Sequence, residues 1–342
     1  MKKNIIIILL FLTFSVHLTL SVFCQEVPAR NAGPVQAVEE AAPKTAGEFF
    51  GMPVPADNYY FVKSVIYVFG NKFGAHPKTA QEFEDAAWDN LLLSFEAFRR
   101  GIEVTREELE KEVTKIIESE KVTFDWLKDK DAYEKWLKDR VNENSQLFEN
   151  QIKHLIQVQK LYDKVREEAD PFVSDDETHR AFLNENSSLG LELIQFDKKE
   201  DALVFYDNAK KDPSFWDKED KKRPKDFKRP GTVSLQFLID FWKIPDEAMH
   251  KMVKMKKGDI YNPEPIYKGW GVFKILETGP ADEAKYKEVK DKYFEKVKLG
   301  KKYEAQAEWF KKLKEMAKIK VYPMEDKENV VNETEMKKEG SR

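Results

Sequence analysis

Cysteine is almost missing from this chain of 342 residues: Cys24 is the only one. That excludes an internal disulfide framework and any zinc site built on cysteine pairs. Glycine (14) and proline (15) are scarce, which excludes the collagen-like and low-complexity classes. An excess of basic charge is missing too. The 58 Lys and Arg stand against 62 Asp and Glu, a net charge of −4, whereas a nucleic-acid surface calls for a clear basic excess. Histidine numbers only 5, at His17, His76, His154, His179 and His250. No Ser-His-Asp set, glycine-rich phosphate loop or metal-ligand spacing occurs, so no metal, nucleotide or other cofactor is expected. What the chain does have is charge, 35% of residues, together with 13% aromatics. So many aromatics argue for a folded, water-exposed protein over a disordered one. The length suits two or three domains.

The N-terminus reads as an address. Lys2 and Lys3 precede an apolar run from Ile5 to Leu12, then a Thr/Ser-dotted stretch ending in Val22-Phe23-Cys24-Gln25. That is the layout of a secretory signal peptide over residues 1–24, with Val22 and Cys24 before the cut. A lipoprotein anchored at Cys24 and an uncut signal anchor are the rival readings. The bulky Phe23 weakens the first, and five polar breaks between Thr13 and Ser21 weaken the second. Membrane contact is expected only if the signal stays uncut or Cys24 is lipidated. A cut after Cys24 leaves a chain without thiols, which suits an oxidising compartment.

Residues 25–55, rich in Ala, Pro, Glu and Gly, read as a flexible linker. Asn58 to Phe69 is β-branched and aromatic, consistent with a strand, and at this length periodicity does not separate a strand from the start of a buried helix. From Thr79 the period turns helical: Phe83, Ala87, Leu91, Phe95 and Phe98 form one apolar stripe. Gly101 stops that helix. Thr105 with Glu108, and Ser174 with Glu177, have the spacing of capping boxes that open further helices. Residues 56–188 are thus expected to form a mainly helical N-terminal lobe. Residues 189–279 alternate: strands near Leu191–Phe196, Gly231–Phe237 and Trp270–Leu276, helices at Lys198–Lys210 and Asp246–Lys256, and a basic loop from Lys218 to Arg229. That order is a small α+β domain. Asp282 to Lys318 carries a stripe from Tyr286 to Ala317 and would span roughly 55 Å as a helix. So long a stripe needs a partner, so 280–322 is expected to pack on the N-terminal lobe. Residues 323–342 read as a disordered charged tail. The fold class expected is mostly α with an inserted small α+β domain.

The ordered set of these segments resembles the SurA/PrsA type of exported folding factor, whose inserted domain is a parvulin-type peptidyl-prolyl isomerase. Gly101-Ile102-Glu103-Val104-Thr105-Arg106-Glu107-Glu108-Leu109 is similar to that family's turn between its first two helices. Val173 to Glu177 is similar to its lead-in to the isomerase domain. Within 189–279, Pro245-Asp246-Glu247-Ala248, then Lys256-Lys257-Gly258-Asp259-Ile260, then Gly269 to Ile275, resembles the parvulin C-terminal half. The resemblance implies an N-terminal chaperone lobe, a parvulin-like β-α-β-α-β domain and unfolded or nascent exported polypeptides as partners. It also implies a periplasmic or envelope location.

The departures bear on chemistry. Where the family places a histidine in its first and last strands, this chain has Leu193 and Gly271. Where it places a proline-binding Phe, this chain has Met252 or Val253. The isomerase centre therefore reads as degenerate, with no residue assigned to catalysis. Met249, Met252, Trp270 and Phe273 are the candidates for client contact, because Met and aromatic surfaces accept varied peptides. His76 reads as a turn residue, His250 as a helix-surface residue, and His154 and His179 as residues at the edge of an apolar face. The expected function is an ATP-independent exported chaperone or foldase of the parvulin isomerase family, with reduced or absent isomerase activity. An active peptidyl-prolyl isomerase and a structural envelope protein that assembles through the long helix are the alternatives.

Overall fold

The structure is a computed structural model that describes residues 45–70 and 76–323. The signal-like segment, the linker up to residue 44 and the tail beyond Pro323 lie outside the described residues. In chain order the first part comprises β1 (Thr45–Phe49), β2 (Met52–Pro55), α1 (Ala56–Phe69), α2 (Ala80–Arg99), α3 (Arg106–Ser119), α4 (Lys130–Val141), α5 (Ser145–Glu168) and α6 (Asp175–Asn186). Then come β3 (Ser188–Phe196), α7 (Lys199–Lys211), α8 (Phe215–Lys222), β4 (Phe227–Ser234), α9 (Leu235–Trp242), α10 (Asp246–Met252), β5 (Ile260–Pro265) and β6 (Trp270–Gly279). The long helix α11 (Glu283–Ala317) and the short strand β7 (Lys320–Val321) close the series. The fold is mostly α, with a small α+β domain inserted between α6 and α11.

One early segment differs from its sequence reading, and another resolves an open one. The linker expected to reach residue 55 ends in a β-hairpin, with Phe49 opposite Met52. Phe50 and Gly51 have φ of 54° and 72°, the left-handed pair that a two-residue primed turn requires. Ala46, Phe49 and Val54 are buried, and their apolar contacts offset the entropy of ordering the segment. Of the two readings open for Asn58 to Phe69, strand or buried helix, the segment takes the helix, α1. Tyr59, Val62 and Ile66 are buried on one side of it, so helical spacing and packing on α2 outweigh β-branched propensity.

Local signals further on act as the sequence implies. Thr105 and Ser174 form capping boxes with Glu108 and Glu177. Gly101, at φ 65°, ends the α2 turn, and Ile102 tucks in behind it, donating its N–H to Ala97 O at 2.9 Å. The lobe core gathers Tyr59, Val62, Ile66, Trp88, Leu91 and Leu92 with Leu313 and Ala317 from the far end of α11. α11, about 50 Å long, therefore joins both regions. Its first half lies on α6, where Phe182 meets Tyr286 and Tyr293 with ring centroids 5.2 and 5.5 Å away.

The sheets are antiparallel, in the orders β2-β1-β7 and β4-β3-β6-β5. Prolines mark the outer strands: Pro53 and Pro55 in β2, Pro230 in β4, Pro263 and Pro265 in β5. β3 and β6 run side by side from Phe196 opposite Trp270 to Ser188 opposite Gly279, so the inserted domain starts and ends at one point. The inserted domain holds more elements than expected. Part of the basic loop Lys218 to Arg229 is helix α8 and strand β4. The strand expected through Phe237 stops at Ser234, whose side chain caps α9 by accepting from the Phe237 N–H.

Candidate functional site

Alternation along β3 sends Leu189, Leu191 and Leu193 to one face of the larger sheet and Ile194 to the other. On the first face Leu193 lies opposite Phe273 of β6. Both join Leu235 and Leu238 of α9, Met249 and Met252 of α10, and Val253 in one apolar cluster. Leu193, Met249, Met252 and Phe273 are fully buried. Gly271 faces the same cluster from the end of β6, and a Cβ built on it would lie 2.8 Å from Phe273 Cζ and 3.2 Å from Ile266 Cγ2. The sequence-predicted positions Leu193, Met252, Val253 and Gly271 are thus brought together. What they form is a packed core without a histidine or a charged side chain, in which Tyr261 is the one titratable member.

The same packing encloses three of the four client-contact candidates. Met249, Met252 and Phe273 present no surface, because α9 covers them. Trp270 lies on the opposite face, half-buried, with Lys199 Nζ 4.9 Å from its ring centroid. On that opposite face the buried carboxylate Glu192 accepts from Trp216 Nε1 at 2.5 Å and pairs with Arg229. Arg229 also pairs with Asp220 at 2.7 Å. Arg229 thus ties α8 to the sheet, while Lys218, Lys222 and Arg223 pair with acids close by in sequence.

The histidines take structural positions. His250 Nε2 is 3.3 Å from Asp246 Oδ1 without the alignment of a hydrogen bond. Burial lowers its pKa, Asp246 opposing. His179 pairs with Glu283 at 2.8 Å on the α6–α11 seam. His76 abuts Gly70. His154 departs from its reading as an edge residue: it is buried inside the lobe, and burial alone pushes its pKa down to about 4. Among the described residues no group of three His, Cys, Asp or Glu side chains is placed to hold a metal ion. No helix among them is long and apolar enough to cross a membrane.

An open apolar surface lies elsewhere, in the lobe. The β1–β2 hairpin leans over α1, α2 and α5 and leaves a cleft of about 470 Å³. Phe49, Val54, Phe61, Leu91 and Phe95 line it, with Asn58, Ser94 and Gln157 as its polar members. Gln157 is committed, donating to Ile102 O at 2.7 Å. Phe98 stands at the lip 79% exposed and Met52 41% exposed. Sequence reasoning missed this site because one wall is the hairpin taken for linker. Helical spacing alone puts Phe98 in the buried stripe of α2. The Phe49-Phe50-Gly51-Met52 run was the available signal, an aromatic pair before a glycine turn.

No family model matches the chain, and no curated protein matches it in sequence. Solved structures do. In fold the chain is similar to SurA-like and PrsA-type folding factors. One is a SurA-like chaperone from Campylobacter jejuni, at 16% identity and a TM-score of 0.36, covering 82% of this chain and 99% of that one. Another is the peptidylprolyl isomerase PrsA of Bacillus anthracis, at 15% identity and a TM-score of 0.40, covering 69% and 97%. PrsA of Bacillus subtilis matches at 14% identity and a TM-score of 0.26, covering 84% and 96%.

Proposed function

We propose that this chain is an exported, ATP-independent holding chaperone whose isomerase-like domain has lost its chemistry. The observation that carries the reading is the contrast between two sites. The positions that the family resemblance assigns to isomerase chemistry are Leu193, Gly271 and Met252 or Val253; they lie in one packed apolar cluster, and Phe273 takes the space beside Gly271. The apolar cleft of the lobe is open, and Phe98 and Met52 stand exposed at its rim. Apolar stretches of an unfolded client rest in that cleft, which lowers the free client and slows its aggregation. The charged exterior keeps the loaded protein dispersed. Export is read from Lys2, Lys3 and the apolar run that follows, and the envelope is the compartment that such an address and such a thiol-poor chain suit.

The test uses reduced, unfolded lysozyme as client. The parent chain slows its aggregation at near-stoichiometric amounts. Phe98→Ser combined with Met52→Ser raises the amount needed roughly tenfold, the effect of losing about 1.4 kcal/mol of contact. A proline-peptide assay on the parent gives no turnover above background. Undiminished holding by the double variant would remove the cleft from the mechanism, and turnover at the rate of an ordinary parvulin would remove the rest.

A further inference from the structure

Behind the cleft, α5 meets α1 across a polar seam. His154 of α5 is 4% exposed, and its Nε2 has no hydrogen-bond partner. Its ring stands edge-on to Phe61, with centroids 5.8 Å apart and planes at 88°. Phe61 is itself a wall of the cleft. One turn earlier, Gln151 donates its amide to Ser64 of α1 and to Glu143, each at 2.9 Å, and its own Oε1 is unpartnered. One turn later, Gln157 lines the cleft. A single side chain of α1 thus separates a buried, unsatisfied imidazole from the space that the cleft encloses.

We propose that His154 makes the α1–α5 wall an acid-responsive latch: the neutral ring keeps the wall shut, and proton uptake favours an open state in which Phe61 leaves the ring and the cleft widens. A buried cation without a partner is costly, whereas the same cation in water is not. The sign follows from proton linkage. Shut, the imidazole is held at about 4; opened to water it returns to its ordinary 6.5. Between those values the open state binds the proton and the shut state does not. The ratio of open to shut therefore rises by up to tenfold for each pH unit lost, and is flat above and below that window.

No ion pair among the neighbouring elements rescues the charged ring. Lys63 of α1 is engaged with Glu84 of α2 at 2.6 Å. Asp89 of α2 is engaged with Lys314 of α11 at 2.7 Å, Glu96 of α2 with Arg99 and Arg100, and Lys160 of α5 with Glu108 of α3. From α4, Glu134 accepts from Ser145 N. Glu143 and Asp89 work against the latch. Burial raises the pKa of each, so each binds its proton better while shut and resists opening in acid. The latch concerns the cleft itself, so a failed holding assay leaves it standing.

The experiment is hydrogen exchange on the full chain, followed by mass spectrometry between about pH 7 and pH 4.5 and corrected for intrinsic exchange. Peptides over 59–66 and 151–158 are compared with one over 235–242. Protection of the first two falls several-fold per pH unit below about 6.5, against a steady third. His154→Gln removes the slope and Glu143→Gln steepens it. A slope that survives in His154→Gln, or no slope in the parent, overturns the proposal. If His154→Gln fails to fold, the parent alone decides through the NMR titration of the His154 ring proton. A midpoint below 5 supports the latch and an ordinary midpoint overturns it.

Discussion

Gly271 bears no side chain, and Phe273 and Ile266 use the space it leaves. Restoring the histidine that the family resemblance assigns there forces both neighbours to move. Gly271→His is expected to lose about 1–3 kcal/mol to overpacking and to gain no proline-peptide turnover, as urea unfolding and the peptide assay will report. Truncation separates core from surface. Met252→Ala, at a fully buried site, should cost about 2–5 kcal/mol, whereas Phe98→Ser, at a site 79% exposed, should stay within about 0.5 kcal/mol. A large loss from Phe98→Ser in the same urea series would mean that the lip of the cleft is part of the core. The sequence makes the apolar character of Leu193, Met249, Met252 and Phe273 plain. What it hides is the cover. The segment that buries them, Leu235–Trp242, follows a strand without a break, and the switch depends on one serine cap at Ser234.

At the scale of elements, local chemistry was legible wherever one residue decides the geometry. The caps at Thr105 and Ser174 and the stop at Gly101 needed no distant partner. α1 and the β1–β2 hairpin were not legible, because both are decided by what they touch. Asn58 to Phe69 suits a strand until α2 supplies a surface for Tyr59, Val62 and Ile66. α11 raises the question of which forces hold it. Lys290, Lys298, Lys301 and Lys314 pair with Asp175, Asp170, Glu177 and Asp89 at 2.9, 3.1, 2.5 and 2.7 Å. Those pairs are largely exposed, and such pairs contribute about 0–1 kcal/mol each. Phe182, 2% exposed between Tyr286 and Tyr293, is worth more. Phe182→Ala should cost about 3–5 kcal/mol, while 1 M NaCl, which screens exposed pairs beyond about 3 Å, should cost less than that one substitution. Denaturant titrations of both, side by side, rank the two contributions, and a larger effect of salt would reverse the order argued here.

For the molecule as a whole, the chain enters and leaves the inserted domain at one crossing, and α6 braces the domain beside it, Arg180 and Asn184 each donating to Asp246 at 2.9 Å. Ser188 lies opposite Gly279, and the next residues bond across the same point, the Ala281 N–H donating to Ser187 Oγ at 3.1 Å. The lobe meanwhile takes Trp309, Phe310, Leu313 and Ala317 of α11 into its own packing. Deleting residues 189–278 and rejoining the ends with a short linker should leave a helical protein that melts cooperatively in calorimetry and still holds unfolded lysozyme. An unfolded product would show that α6 and α11 need the sheet, and a folded product without holding would move the client surface onto it. This arrangement was partly readable from periodicity, since a stripe as long as that of α11 has to find a partner. The cleft was not readable, because its walls come from residues far apart in the chain and its emptiness is a property of their arrangement.

The prolines of the outer strands have a consequence for a protein kept among unfolded chains. A free sheet edge is a template: a stray strand can zip onto its row of N–H and C=O groups and recruit another. Proline has no N–H to offer and breaks that row. β2, β4 and β5 each carry such a break. The remaining edge, β7, is Lys320–Val321 alone, with Pro323 close behind. With prolines and register irregularities in the outer strands and so short a fourth edge, the sheets among the described residues are poor templates, which disfavours seeding of the β-aggregation that its proposed clients are prone to.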